Sequence, residues 1–136
     1  MKRTVIMLAL AVAVGMTVGV IADQVLSAQH IKVTDLLKAD LAGLEGKEAV
    51  VQTVEIAPAG VVGKHYHPGH EVVYVLGGTG TLEMEGRPPR VIKPGDVVHI
   101  PAKHVHWANN NSMTHPVVVL VVRIHEKGQP ITIPVQ

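Results

Sequence analysis

The stretch GVVGKHYHPGHEVVYVLGG, Gly60–Gly78, places His65, His67, His70 and Glu71 within seven residues, directly ahead of an apolar run, Val72–Leu76. His65 and His67 are two apart, so on a β-strand both side chains leave the same face. Pro68 and Gly69 then turn the chain, and Glu71 opens the next segment within reach of that face. By the same alternation His70 points the other way and reads as a surface or supporting residue. An H-x-H pair alone also fits exposed polar residues on a half-buried strand, so the surrounding chain must decide.

Working outward, short β-type runs separated by Gly, Pro and Asn fill the chain beyond Gly46. Strands are expected near residues 49–57, 64–67, 71–76, 80–85, 90–92, 97–100, 105–108, 117–124 and 131–135. Pro58-Ala59-Gly60, Gly77-Gly78, Lys93-Pro94-Gly95-Asp96 and Asn109-Asn110-Asn111 supply turns between them. Many short strands with no long helix predict an all-β fold, a small antiparallel sandwich or barrel. With one Trp, two Tyr and no Phe, its core must come from Val, Leu and Ile.

Composition removes several function classes. Lys+Arg 12 against Asp+Glu 11 leaves no electrostatic case for a nucleic-acid partner. The absence of cysteine removes thiol catalysis and thiolate ligands. No Gly-flanked, strained serine supports a hydrolytic nucleophile.

The chain divides into residues 1–28, 29–48 and 49–136. Lys2 and Arg3 precede the uncharged apolar run Thr4–Ala22, the order of an export signal, which predicts a periplasmic or secreted protein. The alternative is an uncleaved membrane anchor, since about 20 apolar residues span a bilayer. Residues 29–48 read as an N-terminal surface arm that packs against the domain; the competing reading is a short helix capped by Thr34 through Lys38, with Gly43 as its stop. Residues 49–136 form the barrel.

A fourth imidazole, His106, follows another proline-marked turn about forty residues on, in GDVVHIPAKHVHWANN, Gly95–Asn110. Three imidazoles and a carboxylate on neighbouring strands suit a divalent transition metal: Fe, Mn, Ni, Cu, Co or Zn. The two stretches together resemble the cupin superfamily, whose motifs are approximately G(X)5HXH(X)3,4E(X)6G and G(X)5PXG(X)2H(X)3N. Both spacings are met at every ligand position. Gly60 lies one residue nearer His65 than the pattern asks, and Lys103 holds a place usually given to glycine.

The resemblance implies a jelly-roll barrel binding one metal through His65, His67, Glu71 and His106. It points to the single-domain, quercetin-dioxygenase-like group, and so to a dioxygenase in which Glu71 doubles as a catalytic proton acceptor. The alternative is a non-catalytic metal- or ligand-binding protein of the cell envelope. A metal-free sugar epimerase of the same fold does not need the full ligand quartet. Few aromatics favour a small or aliphatic substrate over a planar one. If Glu71 faces inward, Val72, Tyr74 and Leu76 form an apolar outer face. Burial under the second sheet, the N-terminal arm or a second subunit would cover it, and the homodimers common among cupins favour the last. His30 and His125 lie outside both motifs and read as solvent-exposed; Asn110 reads as a residue that fixes turn geometry.

Overall fold

The computed structural model describes residues 30–136; the expected export segment lies outside the described residues. Ten strands follow in order: β1 (Ile31–Asp40), β2 (Lys47–Ile56), β3 (Val61–Tyr66), β4 (His70–Gly77), β5 (Gly80–Met84), β6 (Arg90–Ile92), β7 (Val97–Ile100), β8 (His106–Asn109), β9 (Val117–Glu126) and β10 (Ile133–Pro134). They form two five-stranded antiparallel sheets, β1-β2-β9-β4-β7 and β10-β3-β8-β5-β6. Described residues contain no helix; the turn-punctuated pattern predicts only that no long one interrupts the strands.

Alternation along the strands builds the core between the sheets. In β4, Glu71, Val73 and Val75 are buried while His70, Val72, Tyr74 and Leu76 are exposed. In β9 the inward set begins with Val117, Val119 and Val121, which pack with Ile56, Leu82, Ile92 and Ile100. Each such side chain stabilises the fold by about 1.5–3 kcal/mol when fully buried. The inner face then turns polar toward one end: Arg123 and His125 continue the phase of β9, and Gln52 and Glu48 continue that of β2.

Two sequence expectations need correction. The short helix at Thr34–Lys38 is instead part of β1, an edge strand paired along its length with β2. Its exposed Val33, Leu36 and Leu37 show no alternation, because neither face of the edge is covered, so nothing local marks it as a strand. His125 is not exposed; it is 2% accessible, with Nε2 bonded to the Gln129 carbonyl at 2.8 Å. Its position in the inward phase of β9 is the reason.

The turns carry the strain that the sequence marks. Lys103, at a place usually given to glycine, has φ 62°, and its N–H donates to the His67 carbonyl at 2.8 Å. Gly69 cannot be replaced without movement, since a Cβ there would lie 1.8 Å from the Ile124 carbonyl oxygen.

Candidate metal centre

His65 and His106 face each other because β3 carries a bulge. Its register with β8 runs from Val62 opposite Ala108 to His65 opposite His106, and the extra residue re-aims the side chain. The two rings stand 4.2 Å apart between centroids. His67 follows the end of β3, just before the tight turn at Gly69, and its ring lies 5.1 Å from that of His106. One ring nitrogen from each of the three histidines lies within 4.8 Å of the others. His67 and His106 are buried, and His65 is half-buried.

The hydrogen bonds fix what those nitrogens are. Nδ1 of His65 meets the Gly63 carbonyl at 2.7 Å, Nδ1 of His67 that of Ile131 at 2.6 Å, and Nδ1 of His106 that of His104 at 2.9 Å. A carbonyl only accepts, so each Nδ1 carries a proton and donates it. In the neutral ring each Nε2 then offers a bare lone pair, the state a metal requires. Burial, first of all, pushes the pKa of His106 down to about 4 and lowers that of His65 as well; their carbonyl hydrogen bonds oppose this without reversing it. Both imidazoles are therefore neutral at pH 7.

Glu71 reaches the same place from the other sheet. Its Oε2 lies 2.8 Å from His67 Nε2 and accepts a hydrogen bond from Arg123 Nε at 2.6 Å. Burial raises its pKa, but contact with His67 and the Arg123 guanidinium outweigh this and hold it at about 2. It is a buried carboxylate that stays ionised. His67 Nε2 nevertheless lacks a well-directed hydrogen bond among the described residues. Two electron-rich atoms 2.8 Å apart need a proton or a cation between them. Neighbouring ligands on an ion with ~2.1 Å bonds are about 3 Å apart, so the pair fits a shared metal.

All of these donors but His67 help to form the polar end of a cavity of about 80 Å³, lined otherwise by aliphatic side chains such as Val73, Leu82, Ile100, Val117 and Val121. His65, Glu71, His106 and Arg123 all reach it, and no Trp or Tyr does.

Comparison with known proteins agrees with this geometry. The profile described as "Cupin domain" matches residues 52–123, more than half of the chain. The chain belongs to the cupin family. Among relatives of this cupin, dimethylsulfoniopropionate lyase DddQ of Ruegeria pomeroyi is 45% identical over 42 residues, 31% of this chain and 21% of the relative. Germin-like protein 5-1 of rice, Oryza sativa subsp. japonica, is 34% identical over 79 residues, 53% of this chain and 34% of the relative. The chain thus spans about a fifth to a third of the length of the curated relatives it matches.

Among solved structures, DddQ from Ruegeria pomeroyi superposes with TM-score 0.64 at 23% identity, covering 79% of this cupin and 52% of that chain. A cupin-like protein from Thermotoga maritima superposes with TM-score 0.62 at 27% identity, covering 77% and 75%. KdgF from Halomonas sp. gives 0.60 at 19% identity, covering 74% and 83%. The jelly-roll fold of this cupin follows from these likenesses.

Of the residues singled out in sequence, His65, His67 and His106 converge, and Glu71 joins them while turned toward Arg123. His70 points outward and stacks on His99, with Nδ1 and Nε2 3.0 Å apart. His104 supplies a carbonyl to His106 and sends its own Nε2 to the Glu85 carbonyl. Asn110 fixes backbone, as expected: its Nδ2 reaches the carbonyls of Ile56, Ala57 and His115. Arg123 and Gln52 are the functional residues that sequence reasoning missed. The signal was present, because Arg123 follows Val117, Val119 and Val121 in the inward phase of β9.

Proposed function

We propose that this cupin is a metal-dependent enzyme acting on a small organic substrate, with one divalent transition metal held by His65, His67 and His106 and with Glu71 as the fourth donor. The observation that carries this is the set of three Nδ1–carbonyl hydrogen bonds, which leaves three lone pairs converging beside an ionised carboxylate. A metal there would polarise an oxygen atom of the substrate and make a neighbouring proton easier to remove. Glu71 is the carboxylate placed to take that proton; Arg123 keeps it ionised and in position, so that it is a weak base whose proton is readily passed on. The aliphatic cavity excludes water and takes the rest of the substrate. Its 80 Å³ is small, roughly half of the ~150 Å³ that accepts benzene, and suits a few carbon atoms rather than a flavonoid.

For the reaction, dioxygenase-type oxidation leads. A lyase is the second reading, and one observation favours it: DddQ stands among both the sequence relatives and the structural neighbours. Glu71 serves both as proton acceptor. Metal-loaded protein offered small oxygenated and carboxylated compounds under air and under nitrogen separates the two. Oxygen uptake coupled to product supports oxidation, and equal product without oxygen supports elimination. No turnover in either atmosphere leaves the non-catalytic, metal-holding alternative. The exposed outer face supports a homodimer as the working unit, and the basic-then-apolar segment over residues 2–22 supports export, to the periplasm or beyond the cell.

A further inference from the structure

Glu71 and Arg123 stand directly opposite each other in the β4–β9 register, so the backbone itself brings carboxylate and guanidinium together. The oxygen that accepts from Arg123 Nε at 2.6 Å is the one that lies 2.8 Å from His67 Nε2. A metal that takes the oxygen facing His67 must share Oε2 with the guanidinium or take it away, and Oε1 can replace it only if the carboxylate turns. Arginine does not surrender its proton to make room. Nor is it free to swing aside: Arg123 Nη1 donates to Gln52 Oε1, and Gln52 Nε2 donates to Asp35 Oδ1 on the edge strand β1. Arg123 and Gln52 are both buried. The four side chains form one strut from the centre of the barrel to its surface.

We infer that Arg123 is a positioning residue that competes with the metal for Glu71, so that the three histidines are permanent ligands and the carboxylate is a labile fourth. This rests on the histidine site proposed above. A charge-assisted hydrogen bond is roughly twice as strong as a neutral one, so a carboxylate oxygen engaged by a guanidinium is a weaker donor to a cation. When Glu71 leaves the metal it does not wander into the cavity. Arg123 retains it beside the substrate, where a proton acceptor is wanted.

Cobalt(II) titrated into the full metal-free chain tests this, read by its visible ligand-field bands and by affinity against a competing chelator. Arg123→Met releases Glu71 to the metal: cobalt is expected to bind about tenfold tighter or more, with shifted bands. In a Glu71→Gln background the same substitution is expected to change neither reading. That double-mutant cycle isolates the pathway through the carboxylate. Tightening that persists with Glu71→Gln would mean that only a positive charge had been removed, and overturns the inference, as do unchanged bands and affinity in Arg123→Met. Arg123→Lys keeps the buried charge but not the Nε donor, and serves if the methionine variant does not fold. It should shift the bands in the same direction, and an unchanged spectrum counts against the role. If the wild-type chain takes up no cobalt at all, the histidine site itself fails, a result distinct from a wild type that binds and an Arg123 variant that behaves like it.

Discussion

His67 is placed to serve both a metal and the fold. Its Nδ1 is committed to a backbone carbonyl and its Nε2 is buried without a well-directed hydrogen bond among the described residues, so only a bound proton or cation satisfies it. Removing it with its neighbour is decisive: His65→Ala with His67→Ala is expected to lower metal content from near one ion per chain to none, by elemental analysis of purified protein. Full occupancy in that variant would remove the assignment. Asn110 does the complementary, purely structural work. Its amide lies within 3.0 Å of three carbonyls, and its Oδ1 accepts the Ser112 N–H at 3.0 Å. Asn110→Ala leaves several buried groups unpaired and should cost about 3 kcal/mol in urea unfolding. Metal ligation should survive in whatever fraction folds. Both placements were legible in the sequence, because motif spacing marks the histidines that converge and a turn asparagine has few other uses. His125 was not legible from motif membership, and only its phase along β9 reveals that it is buried.

Among the elements, β9 and the segment after it decide how the site is supported. The inward phase of β9 passes from valines to Arg123 and His125, so one strand supplies both core and polar strut. The chain then doubles back across this end of the barrel. The Gln129 carbonyl holds His125, the Ile131 carbonyl holds His67, and β10 pairs with β3 at His65 and Tyr66. These last residues set the tautomer of His67 and brace the strand that carries His65. Loss of such a partner typically lowers metal affinity about 10–100-fold. Deleting residues 130–136 is expected to do the same, measured by chelator competition, while far-ultraviolet circular dichroism still reports the barrel. Unchanged affinity would show that His67 is oriented by packing alone. The sequence announces a final strand but not its task, because backbone carbonyls leave no mark in residue types. β1 was hidden for a related reason: its hydrogen bonds come from β2, and its exposed side chains carry no period.

At the scale of the whole molecule, the outer face of the sheet β1-β2-β9-β4-β7 is where the barrel is incomplete. Val72, Tyr74 and Leu76 on β4, Val97 on β7 and Ile124 on β9 are exposed, with half-buried Val118, Leu120 and Val122 between them. The second sheet lies on the opposite side, and β1 extends the edge instead of folding over the face. Its centre carries no Asp, Glu, Lys or Arg, while Lys47 and Glu126 pair at its rim at 2.6 Å. An apolar centre with a polar rim is the anatomy of an interface. Strands at about 4.8 Å spacing, four of them about 27–34 Å long and β7 about 14 Å, offer roughly 700 Å², close to the ~800 Å² per partner of a stable complex. Two copies meeting face to face about a twofold axis would bury it without opening a further edge. Light scattering on the purified protein should therefore give twice the chain mass, and Tyr74→Lys with Leu120→Glu should halve it. Because both side chains point away from the cavity, the monomer so produced should keep its metal. A wild type that runs as a monomer at micromolar concentration would leave the face to another occupant, and metal lost together with the dimer would mean that the second copy braces the site.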